Sequence, residues 1–571
     1  MPASGRLRKI ATIHGEWVAR AAAACDVAGL PPVVGSPMSG AQVTVQSGRL
    51  DGSVSSDDRV RRFLGVPYAA PPIGDLRWRP PTAVDPWRGV RSAQRYSPSA
   101  PQPAVSPRSL YWGGENEFDE DCLYLNVWTG PEGDAQRPVL VWFHFGGFHF
   151  GSAANPLYDG TELARSGVTV VTVNYRLGRL GFLAHPALSA ESDEGVSGNY
   201  GLLDQVESLR WVRDNIEAFG GDPGRVSVGG VSAGGHSVHN LRACDHARGL
   251  FHRAVVHSGP GLAPALDGPG HPANPQTLAA GEDAGTELGR VLGVRTAAQL
   301  REIPADVLVD ATLPRAMGAW INVLAPGAPT SMHSFDCGYP VVDGHVLRES
   351  PLEAYASGRA IDVPMLVGGV GNEGAGLPFL SSVRHYEQYV RSTYGSCAED
   401  MLRLYPADSD AEVPNASRQL EADRVFNWST WTAARLQSRH GSSPVWHFRF
   451  QRELPIPSDS RVLEKEFGGA VHGADLPYLF GSFSSMDFPW TNADRQLGEQ
   501  LRTAWSAFAA NGDPNTAPLL IGVESGWPAF AEDAPNTVEW DSPVPTVSTW
   551  VQDDRMRALD AFNRLTDVTS R

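Results

Sequence analysis

The sequence predicts an α/β protein, in which a mostly parallel central sheet is flanked by helices within a single large domain. Two patterns lead to this fold class. Apolar, β-branched runs recur along the chain between turn residues, and a long helical pattern separates two of these runs. Near-continuous apolar runs indicate strands of a sheet that is covered on both faces.

The apolar runs define the predicted strands, which cover residues 137–145, 167–176, 224–232, 253–259, 363–371 and 444–450. Between the second and third runs, residues 198–223 carry apolar side chains at helical spacing, and Gly220, Gly221 and Pro223 end this helix. A succession of strand, helix and strand predicts a right-handed crossover and therefore parallel strands.

The composition indicates how the chain is organised into domains and argues against some classes of partner. Of the 571 residues, 42% are hydrophobic and 19% are charged, which fits one domain with a substantial core. We expect this domain at 41–571, because fold signals begin at Val43. Residues 1–40 are expected to be a loosely ordered extension, with Met38 as an alternative start. The net charge of −17 argues against nucleic acid or an anionic membrane as the main partner, and no apolar stretch reaches the length of a membrane span.

Cysteine usage predicts the compartment. The chain has five cysteines, an odd number without a CxxC pair, which favours neither a zinc site nor a disulfide framework. We therefore expect reduced thiols in a cytoplasmic protein, with secretion as the alternative. No metal and no cofactor are predicted.

A candidate nucleophile lies in Gly230-Val231-Ser232-Ala233-Gly234, the only G-x-S-x-G of the chain. Chance alone gives about half such an occurrence in a chain of this composition. An apolar strand precedes the motif and a helix pattern follows it, which predicts a sharp turn that exposes the oxygen of Ser232 at the start of the helix. The alternative is an ordinary Gly-Ser turn.

A glycine-containing loop follows the strand at 137–145. Acyl transfer places negative charge on the carbonyl oxygen, and amide N–H groups can be aimed at that charge. Gly146 and Gly147 are two candidate donors, and Ala233 is the third. The alternative for the loop is a plain turn at the end of a strand.

A nucleophilic serine also needs a base and an orienting carboxylate, and in this type of fold the chain order is serine, acid, histidine. Glu373 follows a predicted strand among glycines, and His472 lies in a loop flanked by glycines. The chain has 16 histidines, so from the residues alone an ordinary surface or core role for either side chain stays open.

Five further segments resemble those of one family, at 63–81, 120–128, 173–183, 198–235 and 508–515. The chain is similar to the type-B carboxylesterases, which include cholinesterases and bacterial carboxylesterases. The resemblance implies an α/β-hydrolase fold and a serine carboxylesterase that acts on a small-molecule ester through an acyl-enzyme. We expect a monomer or weak homo-oligomer.

The resemblance also implies roles for individual residues. It makes Ser232 the nucleophile, Glu373 the acid and His472 the base. It assigns the oxyanion hole to the N–H groups of Gly146, Gly147 and Ala233. It further implies that Ser258 supports the acid and that Arg77–Glu120 and Arg176–Asp204 are structural ion pairs.

The sequence departs from the family pattern at four places. Phe145 replaces a glycine of the oxyanion loop, which implies an altered local shape. Val231 replaces a glutamate before the nucleophile, which argues against tight binding of cationic substrates. Cys122 lacks the cysteine partner expected within 96–102, and Gly235-His236 replaces small apolar residues.

Two other features have a functional and a structural interpretation. Trp112 lies ten residues before Cys122, the spacing of the cation-stacking tryptophan in cholinesterases. Packing under a surface loop is the alternative role for Trp112. His236 and His239 have the spacing of a metal pair on a helix, but no third ligand is indicated.

The same triad fits other functions. A transacylase or lactone-forming tailoring enzyme uses identical residues, with a substrate hydroxyl in place of water. A non-catalytic binding protein is the third possibility, which the retained triad disfavours. The pockets for the acyl and alcohol groups are expected in the loops at 97–119, 260–280, 315–338 and 374–400.

Overall fold

An 11-stranded sheet organises the chain in the computed structural model, which describes residues 41–114, 117–265, 274–309, 337–375, 377, 380–517, 526–550 and 554–563. The predicted extension at 1–40, with Met38, lies outside the described residues. The strands are β1 (Gln42–Val45), β2 (Gly48–Asp51), β3 (Ser53–Val54), β4 (Arg61–Pro67), β5 (Val90–Ser92), β6 (Tyr124–Thr129), β7 (Arg137–Phe143), β8 (Thr169–Val173), β9 (Gly221–Val231), β10 (Arg253–His257), β11 (Gln276–Thr277), β12 (Val341–Val342), β13 (Met365–Val370), β14 (Val445–Phe450), β15 (Asn536–Trp540) and β16 (Thr546–Thr549).

Helices connect most of these strands. They are α1 (Thr161–Arg165), α2 (Gly178–Phe182), α3 (Pro186–Ser189), α4 (Tyr200–Asn215), α5 (Ala233–Ala243), α6 (Leu278–Leu292), α7 (Ala297–Arg301), α8 (Ala305–Leu308), α9 (Pro351–Ala356), α10 (Val383–Tyr394), α11 (Ala398–Leu404), α12 (Val413–Ala422), α13 (Trp428–His440), α14 (Leu476–Phe480), α15 (Asn492–Asn511) and α16 (Asp554–Phe562). A π-helical turn, Asp423–Asn427, joins α12 to α13.

The large sheet has the strand order β16-β15-β14-β13-β10-β9-β7-β8-β6-β4-β3. All pairs from β15 to β8 are parallel, and the pairs toward both edges are antiparallel. The six predicted strands are all present in this sheet, and the mostly parallel α/β architecture is confirmed. β1, β2 and β5 form a separate three-stranded sheet, and β11 pairs with β12.

Both faces of the central strands are buried, as their continuous apolar runs predict. Along β7, Val139 and Val141 belong to one apolar cluster, and Leu140 and Trp142 belong to another. Successive side chains point to opposite faces of a strand. The two clusters therefore lie on the two faces of the sheet. Within the described residues, none of the helices is long and apolar enough to cross a membrane.

The predicted helix at 198–223 is α4 followed by a 3-10 turn, Ile216–Phe219. Gly220 adopts a left-handed conformation with φ 86°, which a glycine reaches without steric cost. β9 begins at Gly221 and leads into α5 through a single residue, Ser232. The start of α5 thus lies at the carboxyl edge of the central parallel strands.

Candidate active site

Ser232 forms the turn between β9 and α5. It has φ 58° and ψ −119°, a conformation that costs a residue with a side chain about 1–3 kcal/mol. Its N–H donates to the carbonyl of His257 (2.9 Å), and its own carbonyl accepts from the N–H of His236 (2.8 Å). Hydrogen bonds on both sides thus hold the strained residue. Ser232 is 1% exposed, and its hydroxyl has no hydrogen-bond partner among the described residues.

The glycines two residues before and after Ser232 are a steric requirement of this turn. A Cβ on Gly230 would overlap the backbone of Gly234, and a Cβ on Gly234 would overlap the carbonyl oxygen of Phe143 in β7. The end of the strand and the first turn of α5 are therefore in direct backbone contact. The sharp turn predicted from the motif is confirmed.

Glu373 and His472 lie side by side although 99 residues separate them in the chain. His472 Nδ1 is 2.6 Å from Glu373 Oε2. Glu373 Oε1 accepts from the hydroxyl of Ser258 (2.6 Å) and from the N–H of Val370 (2.9 Å). Three donors thus fix the carboxylate, and the carboxylate in turn orients the imidazole through Nδ1.

Adjacent strands carry these side chains to one edge of the sheet. Ser232 follows β9, Ser258 follows β10 and Glu373 follows β13, and these three parallel strands are neighbours in that order. A backbone hydrogen bond from Asn372 N–H to the Ala470 carbonyl (2.8 Å) brings the loop of His472 to the same edge. The carboxyl edge of a parallel sheet is the usual place of a ligand site in this fold class.

The predicted oxyanion loop follows β7, the strand on the other side of β9. Gly146 and Gly147 have φ 120° and 57°, and a Cβ on Gly146 would overlap the carbonyl oxygen of Phe150. Among the described residues, the N–H groups of Gly146, Gly147 and Ala233 donate to no protein acceptor. These three amides are therefore available to a bound oxygen.

Phe145 connects this loop to the loop of His472. Its ring packs edge-on against Tyr111, with the centroids 5.3 Å apart, and its N–H donates to the hydroxyl of Tyr158 (3.2 Å). The hydroxyl of Tyr111 in turn donates to the carbonyl of His472 (3.1 Å). The replacement of a glycine by Phe145 therefore adds a buried aromatic contact to Tyr111, which in turn links the oxyanion loop to the loop of His472.

Burial affects the titration of three other histidines near the turn, His144, His236 and His239. Burial lowers the pKa of His144 to about 4 and the pKa of His236 to about 3. His239, the second member of the suggested metal pair, is hydrogen-bonded to the hydroxyl of Tyr355 (2.9 Å). No cluster of three or more His, Cys, Asp or Glu side chains suited to a metal ion occurs in the described part of the chain.

Val231 and Cys122, two other departures from the family pattern, and Trp112 have clear structural settings. Val231 is fully buried in the second apolar cluster. Trp112 is 39% exposed and lines a groove of about 480 Å³ together with Met486 and Phe488. Cys122 is free and fully buried, and burial raises the pKa of its thiol well above the ordinary value.

Both ion pairs implied by the resemblance are present. Arg77 Nε is 2.6 Å from Glu120 Oε2. Arg176 binds Asp204 through two nitrogens, at 2.8 and 2.6 Å, with both side chains buried. Their guanidinium–carboxylate geometry is that of structural links between distant segments.

The structure also places residues at this edge that the sequence did not single out. Phe426, in the π-helical turn, lies 4.5 Å from the His472 ring between centroids. His257, Asp475 and Trp505 form a buried hydrogen-bonded group beside the two loops. His257 is next to Ser258 and Asp475 lies three residues after His472, but neither position indicates a pairing, which is visible only in the fold.

Part of the predicted substrate pockets is not described. Residues 115–116, 266–273, 315–336, 376 and 378–379, which belong to the four loops expected to shape the pockets, lie outside the described residues. The contribution of these segments stays a prediction.

The sheet, the strained serine turn and the buried Glu–His pair define an α/β hydrolase. Residues 39–557 match the model of the Carboxylesterase family. The chain is 38% identical over 507 residues to the Fumonisin B1 esterase of Sphingopyxis macrogoltabida, covering 85% of this chain and 84% of the relative. It is 32% identical over 517 residues to the para-nitrobenzyl esterase of Bacillus subtilis (strain 168), covering 88% and 95%.

A solved structure of a PNB esterase superposes with a TM-score of 0.75 at 31% identity, covering 91% of this chain and 99% of that protein. The protein therefore belongs to the carboxylesterase family and is a carboxylic ester hydrolase.

Proposed function

We propose that Ser232, His472 and Glu373 form the catalytic triad of this esterase. The observation that carries the proposal is the convergence of a strained serine turn and the Glu373–His472 hydrogen bond of 2.6 Å at one edge of the sheet. The order of the three residues along the chain and the support of Glu373 by Ser258 agree with it.

The proposed reaction is a two-step acyl transfer to water. Ser232 Oγ attacks the ester carbonyl carbon while its proton moves to His472 Nε2, and Glu373 stabilises the resulting imidazolium. The imidazolium then protonates the leaving alcohol. His472 next removes a proton from water, the hydroxide attacks the acyl carbon, and the released Ser232 oxygen regains its proton.

The proposed oxyanion hole consists of the N–H groups of Gly146, Gly147 and Ala233. Their amides are unused by protein acceptors among the described residues, and Ala233 is the first residue of α5, where the helix dipole favours negative charge. Such donors stabilise the tetrahedral intermediate more than the ground-state ester.

A substitution of Ser232 tests the triad. Ser232→Ala is expected to lower the kcat for p-nitrophenyl butyrate by at least about 10⁴-fold. Ser227→Ala is the matched control, since Ser227 is a fully buried serine on β9, the strand that leads to Ser232, and its hydroxyl has no partner among the described residues. A fluorophosphonate probe should add one mass increment to the wild type, located on the Ser232 peptide. Equal rates for wild type and Ser232→Ala would refute the assignment.

We further infer that the alcohol group of the substrate is uncharged. Val231, the residue before the nucleophile, presents an apolar side chain in a buried cluster, where a carboxylate would be needed to pair with a cation. Butyrylcholine and 3,3-dimethylbutyl butyrate, which differ mainly in charge, should be compared by kcat/KM. A tenfold preference for the choline ester would overturn the inference and point to a cation–π role for Trp112.

The same kind of assay can determine which acyl group the enzyme prefers and whether water or an alcohol accepts it. Two relatives are named for a para-nitrobenzyl ester and for fumonisin B1, so we propose to include both compounds among the substrates tested. Product analysis with added alcohols separates hydrolysis from acyl transfer to a hydroxyl. The cytoplasmic location stays a prediction from the cysteine content.

A further inference from the structure

A second buried histidine lies directly beside the proposed triad. His257, the last residue of β10, is fully buried. Its Nδ1 is hydrogen-bonded to Asp475 Oδ2, and its Nε2 is 2.9 Å from the indole nitrogen of Trp505. An indole N–H can only donate. His257 Nε2 is therefore the acceptor, Nδ1 carries the proton, and the imidazole donates that proton to the carboxylate of Asp475.

The surroundings of this pair are apolar. The rings of Trp142, Phe448 and Trp505 lie 5.5, 4.8 and 5.5 Å from the imidazole of His257 between centroids. Asp475 is 1% exposed, and its Oδ1 has no hydrogen-bond partner among the described residues. A buried carboxylate with so few donors depends strongly on each of them.

His257 and its neighbour Ser258 contact the nucleophile turn, the proposed acid and the loop that carries the proposed base. The carbonyl of His257 accepts the N–H of Ser232 (2.9 Å), and the hydroxyl of Ser258 donates to Glu373 (2.6 Å). The side chain of His257 binds Asp475, which lies three residues after the proposed base in the same loop. The dipeptide thus joins the nucleophile turn and the acid to the loop of the base.

We propose that His257 and Asp475 form a positioning pair that sets the distance between the Ser232 turn and the His472 loop. The proposal rests on the proposed triad. The pair is not a proton carrier, because protonation of His257 at Nε2 would place an N–H against the N–H of Trp505. Its effect is to hold the two reacting groups in register, and a displacement of about 1 Å in such a site costs about 10²-fold in rate.

Two substitutions of His257 separate positioning from packing. In His257→Asn the amide nitrogen takes the place of Nδ1 and keeps the hydrogen bond to Asp475. In His257→Gln the amide takes the place of Nε2 and the donor to Asp475 is lost, although glutamine fills the volume better. We expect His257→Gln to lower kcat for p-nitrophenyl butyrate about 100-fold and His257→Asn no more than about tenfold, with KM changed less than threefold in both.

Asp475→Asn provides an independent variant, since asparagine still accepts from His257 through its oxygen but without the charge, and we expect a loss of about tenfold in kcat. Rates are expressed per active site, titrated to completion with a fluorophosphonate, so that misfolded protein does not count. His447→Gln is the matched control: His447 is a fully buried histidine on β14, bound to Thr537 and packed against Trp550, and its substitution should leave kcat unchanged.

Retention of more than a third of kcat by His257→Gln, or equal losses in the two His257 variants, would overturn the positioning role. If neither His257 variant folds, a wild-type kcat per site in Asp475→Asn overturns it instead. Ser232→Ala, assayed in parallel, distinguishes failure of the positioning pair from failure of the proposed triad. If Ser232→Ala is inactive while the His257 variants are normal, only the positioning pair fails, whereas an active Ser232→Ala removes the proposed triad itself.

Discussion

Substitution of Glu373 by glutamine tests the proposed acid through the direction of its hydrogen bonds. In the native site, Oε1 faces two donors, the hydroxyl of Ser258 and the N–H of Val370, and Oε2 faces His472 Nδ1. An amide has one acceptor atom and one donor atom. The amide oxygen is expected at the Oε1 position, because the N–H of Val370 cannot become an acceptor.

The structure sets the size of this preference. The reversed amide would leave the buried N–H of Val370 facing another donor, which costs about 1–3 kcal/mol and makes the stated orientation about 5- to 150-fold more populated. In that orientation the amide donates to His472 Nδ1. The imidazole is then forced to carry its proton on Nε2, where it cannot accept the proton of Ser232.

We therefore expect Glu373→Gln to lower kcat about 10³- to 10⁴-fold at pH 7. Glu373→Asp keeps the charge and should lose less, about 10- to 100-fold. Asp494→Asn is the control, since Asp494 is a fully buried carboxylate that caps α15 and binds Arg452, and this change should lower stability while kcat per site is unchanged. A Glu373→Gln enzyme that keeps more than a tenth of kcat, or equal losses in the two Glu373 variants, would refute the tautomer argument.

Three further substitutions test one contact of the site and two buried groups elsewhere in the fold. Ser258→Ala removes one charge-assisted hydrogen bond to Glu373, so kcat should fall about tenfold with KM within threefold; an unchanged kcat would contradict this. Asp204→Asn leaves Arg176 buried without its charge partner and should lower the free energy of unfolding in urea by about 3–5 kcal/mol, whereas a loss below 1 kcal/mol would show that solvent compensates. Burial lowers the pKa of His447 to about 3, so its contribution to stability is full above pH 6.5 and falls as the pH drops toward 3. Between pH 7 and pH 5 the loss from this group is about 2 kcal/mol, and His447→Gln should reduce the pH dependence of unfolding by that amount, which identical pH dependences would disprove.

The sequence was informative wherever local chemistry determines structure. The central strands could be predicted because both of their faces are buried and their apolar runs are continuous. The turn at Ser232 could be predicted because Gly230 and Gly234 are required by direct backbone contacts. In both cases a short stretch of chain carries the whole physical reason for the structure.

Long-range pairings were beyond prediction for the converse reason. His257 and Asp475 are 218 residues apart, and neither side chain has a local pattern that distinguishes it from an ordinary buried residue. Tyr111 reaches the loop of His472 across 361 residues. The family resemblance supplied the triad residues, but it gave no role to these contacts, which depend on the side chains of this chain.

Backbone strain at the sheet edge links these observations. Ser232 and Ser258 have φ values of 58° and 47°. Such conformations persist only where several surrounding contacts hold the residue in place. The N–H of Ser232 donates to the carbonyl of His257 in β10, and the N–H of Ser258 donates to the carbonyl of Gly368 in β13 (2.7 Å). Each strained residue is thus held by the next strand of the sheet. Glu373 lies three residues beyond the end of β13. The relative positions of Ser232, Ser258 and Glu373 therefore follow from the register of β9, β10 and β13, whereas His472 is brought to them by its own loop.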